Sequence, residues 1–172
     1  MKRILFLILL ITVFTTSAYS QKKMYIYKPS ASEYVATNLL EDQKIKLTIK
    51  DTRVIAPKSK IEASFDDIKT EIEKSILMTY PKASFLETEE NADAEIIINI
   101  KSYDVTFYTG MWHAQTRYIV TIKHGGEEIE DDLEQINRFY NTTGTKKAKT
   151  TLNKCFNNAN LQLFEFINSV LE

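Results

Sequence analysis

Few residues of this 172-residue chain could carry acid–base, nucleophilic or metal chemistry. The only histidines, His113 and His124, bracket one predicted strand, so they lie about 36 Å apart at roughly 3.3 Å per residue and cannot bind one metal ion together. Cys155, the only cysteine, falls on the apolar stripe of a predicted helix and is interpreted as a core residue. The sequence has no paired-cysteine, HExxH or Gly-Lys-Ser/Thr motif. We therefore predict no catalytic residue, no metal site and no cofactor.

Four acidic pairs are the remaining candidates for general acid–base catalysis. Each is more simply a solvated helix start or loop, and nothing in the sequence pairs them with a base or a metal. The pairs are Asp66-Asp67, Glu89-Glu90, Glu127-Glu128 and Asp131-Asp132. Asp51 and Arg53 close a predicted strand, and they are interpreted as a structural ion pair, with contact to a ligand as the alternative.

The turn at Thr109-Gly110 is unusually apolar, because the sequence around it is FYTGMWH. One interpretation is that these side chains fold back onto the sheet or under a helix. The other is an exposed aromatic patch for a partner or an acyl chain, since exposed apolar patches often mark interaction sites and aromatic residues are favoured at their energetic centres. The predicted partner-binding anchors are Tyr108, Met111 and Trp112.

The two runs that flank this turn, 94–108 and 111–124, alternate apolar and polar residues as strands do. The alternation of the first run changes parity once at Lys101-Ser102, which predicts a β-bulge there or a strand covered on both faces. Gly125-Gly126 predicts a two-residue hairpin turn, because both residues can take positive φ. The following segment, 127–140, has helical spacing of its apolar residues, but the preceding turn favours a strand, with a break near Asp131-Asp132.

Two amphipathic stripes predict helices on either side of these strands. The first begins at Ser64, whose hydroxyl is expected to cap the helix, and ends before Pro81. The second runs from near Thr145 to the C-terminus. The predicted order is β-α-β-β-β-β-α, which indicates an α+β fold: a two-layer sandwich with a four- to five-stranded, mostly antiparallel sheet and two amphipathic helices on one face.

The N-terminus predicts export. Residues 1–20 combine Lys2 and Arg3 with an apolar run too short to span a bilayer, which is typical of a secretory signal peptide cleaved near Ser20-Gln21. Residues 21–43 are interpreted as an N-terminal strap or short helix, and residues 44–172 as a single α+β domain. We expect a periplasmic or secreted protein.

Charge and hydropathy argue against two classes of protein, nucleic-acid-binding proteins and integral membrane proteins. Without Lys2 and Arg3, the 22 basic residues become 20 against 23 acidic ones, a net charge of −3, so no strong positive field indicates nucleic-acid binding. No second apolar stretch is long enough to cross a membrane, so an integral membrane protein is not expected.

Three segments carry a resemblance: KIKLTIKDTR at 44–53, the Asp-containing lead into a strand at 91–98, and the closing amphipathic helix at 152–171. Together they resemble small envelope proteins of Gram-negative bacteria, such as YajG-like lipoproteins and the lipopolysaccharide-assembly lipoprotein LptE. The resemblance implies a strand-helix-strands-helix domain that works by binding at the outer membrane, not by catalysis. Those families carry a lipidated cysteine after the signal peptide where this chain has Gln21, so a soluble periplasmic or secreted form is implied.

The functional expectation is therefore an exported, non-catalytic binding or assembly-accessory protein of the cell envelope, with an envelope protein or lipid as its partner. A small-molecule or lipid carrier is the first alternative, and it requires a closed apolar cavity between helices and sheet. A hydrolase is the second, and it requires convergent polar side chains with perturbed pKa values in a cleft.

Overall fold

The computed structural model describes residues 25–32, 34–55, 59–86, 88, 91–140 and 145–172. The predicted signal peptide and its cleavage site lie outside these residues. The strands are β1 (Tyr25–Ile26), β2 (Lys44–Asp51), β3 (Ile61–Glu62), β4 (Ser84–Leu86), β5 (Ala94–Tyr108), β6 (Met111–His124) and β7 (Glu127–Tyr140). The helices are α1 (Phe65–Thr79) and α2 (Thr145–Leu171).

The main sheet has five strands in the order β4-β2-β5-β6-β7. β2 runs parallel to β4 and β5, whereas β5, β6 and β7 form an antiparallel meander of long strands. The sheet is open and mostly antiparallel, and two helices pack on it. This confirms the predicted α+β class and element order. β1 and β3 form a separate two-residue parallel ladder.

The core lies between the helices and one face of the sheet. Side chains from α1, α2 and the inner face of the strands form a single buried cluster, and full burial of each aliphatic side chain contributes about 1.5–3 kcal/mol. Fully buried members include Ile68, Ile72 and Ile76 of α1, Leu152, Phe156 and Leu163 of α2, and Ile96, Ile98 and Ile100 of β5. Cys155 is buried in the same cluster, as expected for a core residue.

A buried asparagine joins the layers. Asn160 of α2 accepts a hydrogen bond from the Tyr118 hydroxyl of β6 at 3.2 Å, and it donates to the Ser75 hydroxyl of α1 at 3.2 Å. Buried polar groups of this kind are costly unless paired, so these bonds fix how both helices sit on the sheet.

The predicted β-bulge is present and decides which side chains share a face. Ile100 pairs with Tyr118 but Ser102 pairs with Arg117, so Lys101 is the extra residue in β5. Before the bulge the even-numbered residues of β5 face the helices, and after it the odd-numbered residues do. Phe107 therefore faces the core, and Tyr108 faces the opposite, open side of the sheet.

Both hairpin turns have two residues with positive φ, as the Gly-Gly pair predicted. The angles are 50° and 77° at Thr109 and Gly110, and 60° and 84° at Gly125 and Gly126. β7 is continuous from Glu127 to Tyr140. The predicted strand is confirmed, and the predicted break near Asp131-Asp132 is wrong, because both residues keep their pairing with β6.

Helix α1 begins and ends where the sequence predicted. Ser64 occupies the N-cap position with extended backbone, but the expected hydroxyl cap is wrong, since its side chain makes no capping hydrogen bond. The helix ends at Thr79, with Tyr80 at the C-cap, directly before Pro81.

The N-terminal residues 25–32 form an extended strap across the two helices. The amides of Ser30 and Ser32 donate to the side-chain oxygens of Asn153 and Asn157 at 2.8 and 3.0 Å. The Ala31 amide donates to Glu71 of α1 at 2.8 Å. Residues 34–38 are not helical.

Candidate interaction surface

The predicted anchors lie at the β5–β6 turn, but they do not share one face. Successive residues of a strand point to opposite sides, so Met111 and its neighbour Trp112 diverge. Tyr108 pairs with Met111, and Met111 pairs with Tyr140 of β7. These three side chains form one cross-strand row on the open face, which we call the outer row.

A second aromatic row lies directly behind it on the helix side. Phe107 pairs with Trp112, and Trp112 pairs with Phe139; we call these three the inner row. The Phe107 and Trp112 ring centroids are 4.9 Å apart, and the Lys147 ammonium lies 5.9 Å from the centre of the Phe139 ring. Trp112 is only 7% exposed. The inner row is therefore part of the core, as the fold-back interpretation of this segment expected.

The outer row is the exposed counterpart. Tyr108 is 54% exposed and Tyr140 is 70% exposed, while Met111 between them is half-buried. The Tyr108 ring also contacts the His113 ring edge-on, with centroids 6.3 Å apart. Ile136, on the same face of β7, is 49% exposed, and the exposed Arg138 lies between it and Tyr140. Partner binding at Tyr108, Met111 and Trp112 stays a prediction, but the burial of Trp112 in the inner row removes its side chain from the exposed surface.

Sequence reasoning missed Tyr140. The apolar residues of 127–140 are spaced as in a helix, which hid the fact that Tyr140 lies on the far side of the sheet from Phe139. The available signal was the hairpin itself: a two-residue turn at Gly125-Gly126 fixes the register, and that register pairs Tyr140 with Met111.

One carboxyl group on the open face, that of Asp104, has no partner among the described residues. Asp104 follows the bulge and lines a cavity of about 60 Å³ together with Arg53, Ser59 and Glu62. Within the described part of the chain it makes no hydrogen bond or ion pair. Burial raises the pKa of Asp104 to about 6. Binding pockets for small molecules usually measure about 300–1,000 Å³, so this cavity is too small for a substrate.

The other residues singled out from the sequence have structural surroundings. Arg53 forms a two-point ion pair with Asp51, at 2.7 and 2.8 Å, and donates to the Ala63 carbonyl at 3.1 Å. The Cys155 thiol contacts the Ala114 carbonyl at 3.6 Å, and burial raises its pKa to about 11. The predicted structural ion pair at Asp51 and Arg53 is present.

The acidic pairs and histidines are dispersed. Asp66-Asp67 begins α1, while Glu127-Glu128 and Asp131-Asp132 lie on exposed β7; Glu89-Glu90 lies outside the described residues. His113 and His124 occupy opposite ends of β6. Among the described side chains, no group of three or more His, Cys, Asp or Glu is placed to hold a metal ion.

The opposite end of the meander, at the Gly125-Gly126 turn, is polar. Glu95 lies between Lys46 and Lys123, with carboxylate–ammonium distances of 2.7 and 3.0 Å. Hydrogen bonds from these two lysines, Lys46 foremost, lower the pKa of Glu95. An open cleft of about 420 Å³ surrounds this turn, lined in part by Asp93, His124 and Glu128.

Comparison with solved structures finds several chains that align with this one. A Xanthomonas campestris protein described as DUF330 aligns with a TM-score of 0.53 at 10% identity, covering 84% of this chain and 96% of that one. An uncharacterised protein aligns with a TM-score of 0.54 at 9% identity, covering 81% and 99%. A minor lipoprotein from Acinetobacter baumannii aligns at 0.44 and 12% identity, covering 74% and 93%.

The first two matches show the fold. No protein-family model matches the sequence, and no curated protein matches it. In the described part of the chain, neither α1 nor α2 has the length and apolar character that a membrane-crossing helix needs.

Proposed function

We propose that this protein is an exported, non-catalytic binding protein of a Gram-negative cell envelope, and that the outer row is its contact surface. The single observation that carries the proposal is the alignment of Tyr108, Met111 and Tyr140 in one row with two largely exposed rings. The predicted signal peptide and the resemblance to envelope lipoproteins support the compartment.

The outer row is held rigidly before any partner arrives. Two-residue turns and long antiparallel ladders fix all three strands, and the inner row packs on the helix side of them. Binding to a preformed surface avoids the entropic cost of ordering a loop. Full burial of an aromatic side chain covers roughly 150–250 Å², and more than half of each tyrosine is still exposed and can be covered by a partner.

The alternatives have less support. A carrier requires a closed apolar cavity between helices and sheet, but fully buried side chains of α1, α2 and β5 pack together there. A hydrolase requires converging catalytic groups, and the carboxyl group with a raised pKa, Asp104, lines a cavity of only about 60 Å³.

Site-specific photo-crosslinking tests the proposal. A benzophenone amino acid replaces Tyr108 or Tyr140 in the full chain, and irradiation is performed on envelope fractions of the source cells. The matched control replaces Tyr34, which is 38% exposed and follows the strap over the helices. We expect adducts of one defined species from positions 108 and 140 only. Equal labelling from position 34, or no adduct at either row position, contradicts the proposal.

A further inference from the structure

The first five residues of α2 carry positive charge where a helix disfavours it. Lys146, Lys147 and Lys149 are all exposed, and the first turn contains no acidic residue. A helix N-terminus bears a positive partial charge, so cations there reduce helix stability. None of the three forms an ion pair within the described residues. Helix stability therefore does not explain their placement.

These lysines lie at the same end of the molecule as the outer row. The Lys147 ammonium lies over Phe139, the residue before Tyr140, and the Tyr27 hydroxyl donates to the Thr145 carbonyl at 2.8 Å. Arg138 is exposed on the open face, two residues before Tyr140. We call Arg138 and the three lysines the basic patch, and the end that carries it together with the outer row the tip end.

The other end of the meander has the opposite charge. Six of the eight residues from Glu127 to Glu134 are acidic, and all but Leu133 are exposed. The near-neutral total charge of the chain thus conceals a basic end and an acidic end. A negatively charged surface attracts the tip end and repels the other, which orients the molecule.

We infer that the tip end docks on a bilayer surface rich in anionic phospholipid headgroups. This inference rests on the proposed function and names the partner of the outer row. Tyrosine is favoured at membrane–water interfaces, because its ring is apolar and its hydroxyl remains hydrated. Lysine and arginine side chains beside the rings then approach lipid phosphates. Thr109 and Gly110, between the rings of the outer row, are exposed as well.

Vesicle co-sedimentation of the mature chain tests this inference. The probes are phosphatidylcholine vesicles with and without phosphatidylglycerol. We expect binding only when phosphatidylglycerol is present, weakened by added salt. The triple variant K146Q/K147Q/K149Q should bind about 100-fold more weakly, since each lysine near an anionic surface contributes about fivefold.

A matched triple variant separates position from net charge. K44Q/K74Q/K82Q removes three exposed lysines from β2, α1 and the turn after α1, so its net charge equals that of the first variant. We expect it to bind like the wild type. The double variant Tyr108→Ala/Tyr140→Ala, which removes only exposed rings, should fold normally and lose binding as well.

Two results overturn the inference: no binding of the wild type to phosphatidylglycerol vesicles, or equal losses in both lysine variants. If benzophenone at 140 captures a defined protein while vesicles are not bound, the lipid inference fails and the proposed contact surface stands. If neither experiment detects an interaction at the tip end, both are wrong.

Discussion

The two ends of the β5–β6–β7 meander have the same backbone and opposite chemistry. Each is closed by a two-residue turn with positive φ at both positions. At the Gly125-Gly126 end, Glu95 is paired with Lys46 and Lys123, and the exposed acidic residues of β7 lie nearby. At the tip end, two tyrosine rings remain exposed beside lysines that form no ion pair within the described residues. The same hairpin geometry thus presents different chemistry at the two ends.

The turns also differ in strain. Gly125 and Gly126 adopt positive φ without steric cost, whereas Thr109 is β-branched and has a φ of 50°. Such a residue is an outlier in this region, and strained backbone is often found at functional segments. The strain at Thr109 is therefore a second feature that separates the tip end from the glycine end.

The largest expected effect is the difference in unfolding free energy between substitutions on the two faces of the tip end. Trp112→Ala should reduce the free energy of unfolding by about 3–5 kcal/mol, because it empties a buried aromatic site between Phe107 and Phe139. Tyr108→Ala, on the exposed face, should cost less than about 1 kcal/mol. Urea denaturation of both variants measures the difference. Similar costs for the two substitutions would show that the faces are assigned incorrectly.

A smaller effect comes from the pH dependence of Asp104. Burial raises its pKa to about 6 from an ordinary value of 3.8, so the folded state holds the proton more tightly than the unfolded state. The stability that it contributes is fully present below about pH 4 and is lost as the pH rises through 6. At pH 7 we expect Asp104→Asn to be more stable than the wild type by about 2 kcal/mol, with the gap closing at pH 4. Thermal unfolding across this range measures the gap, and parallel pH profiles would contradict the prediction.

The pH dependence of stability due to Glu95, at the other end of the meander, should have the opposite sign. Its lysine partners lower its pKa, so its contribution to stability is present above the ordinary value of 4.5 and is lost as the pH falls through the folded-state pKa. Glu95→Gln should therefore be less stable than the wild type at pH 7 and should approach it in acid. The same thermal unfolding series checks this, and a stabilised variant at pH 7 would refute it.

The smallest effect comes from exchanging the turns. Gly125→Thr places a β-branched residue at a φ of 60°, with no atom within 4 Å of the new Cβ, so its cost of about 1–2 kcal/mol is purely conformational. Thr109→Gly relieves the same strain but adds chain entropy, which leaves a gain of about 0.5 kcal/mol. Chemical denaturation of both variants should show changes of opposite sign; two losses would mean that Thr109 is not strained.

The sequence predicted what depends on local periodicity. Alternation located the bulge at Lys101, and Gly125-Gly126 located the second turn. The same alternation already separated Met111 from Trp112, but their shared apolar character grouped them as anchors. Tyr140 was overlooked because its segment also fits a helix.

Contacts between distant segments could not be predicted from the sequence. Asp104 is half-buried because the chain returns after β2, where the Ser59 backbone pairs with Thr106. The strap is held by Asn153 and Asn157, more than 120 residues away. Neither arrangement leaves a periodic signal, since each depends on where long connections pass over the finished sheet.

Site-specific fluorescence at the two ends tests the central claim most directly. Thr109→Cys and Glu127→Cys each offer one exposed thiol for an environment-sensitive dye, while buried Cys155, with its pKa raised to about 11, stays unlabelled. With phosphatidylglycerol vesicles, we predict a blue shift and increased intensity at position 109 and no change at 127. Equal responses, or a response at 127 alone, would contradict the assignment of the tip end as the contact surface.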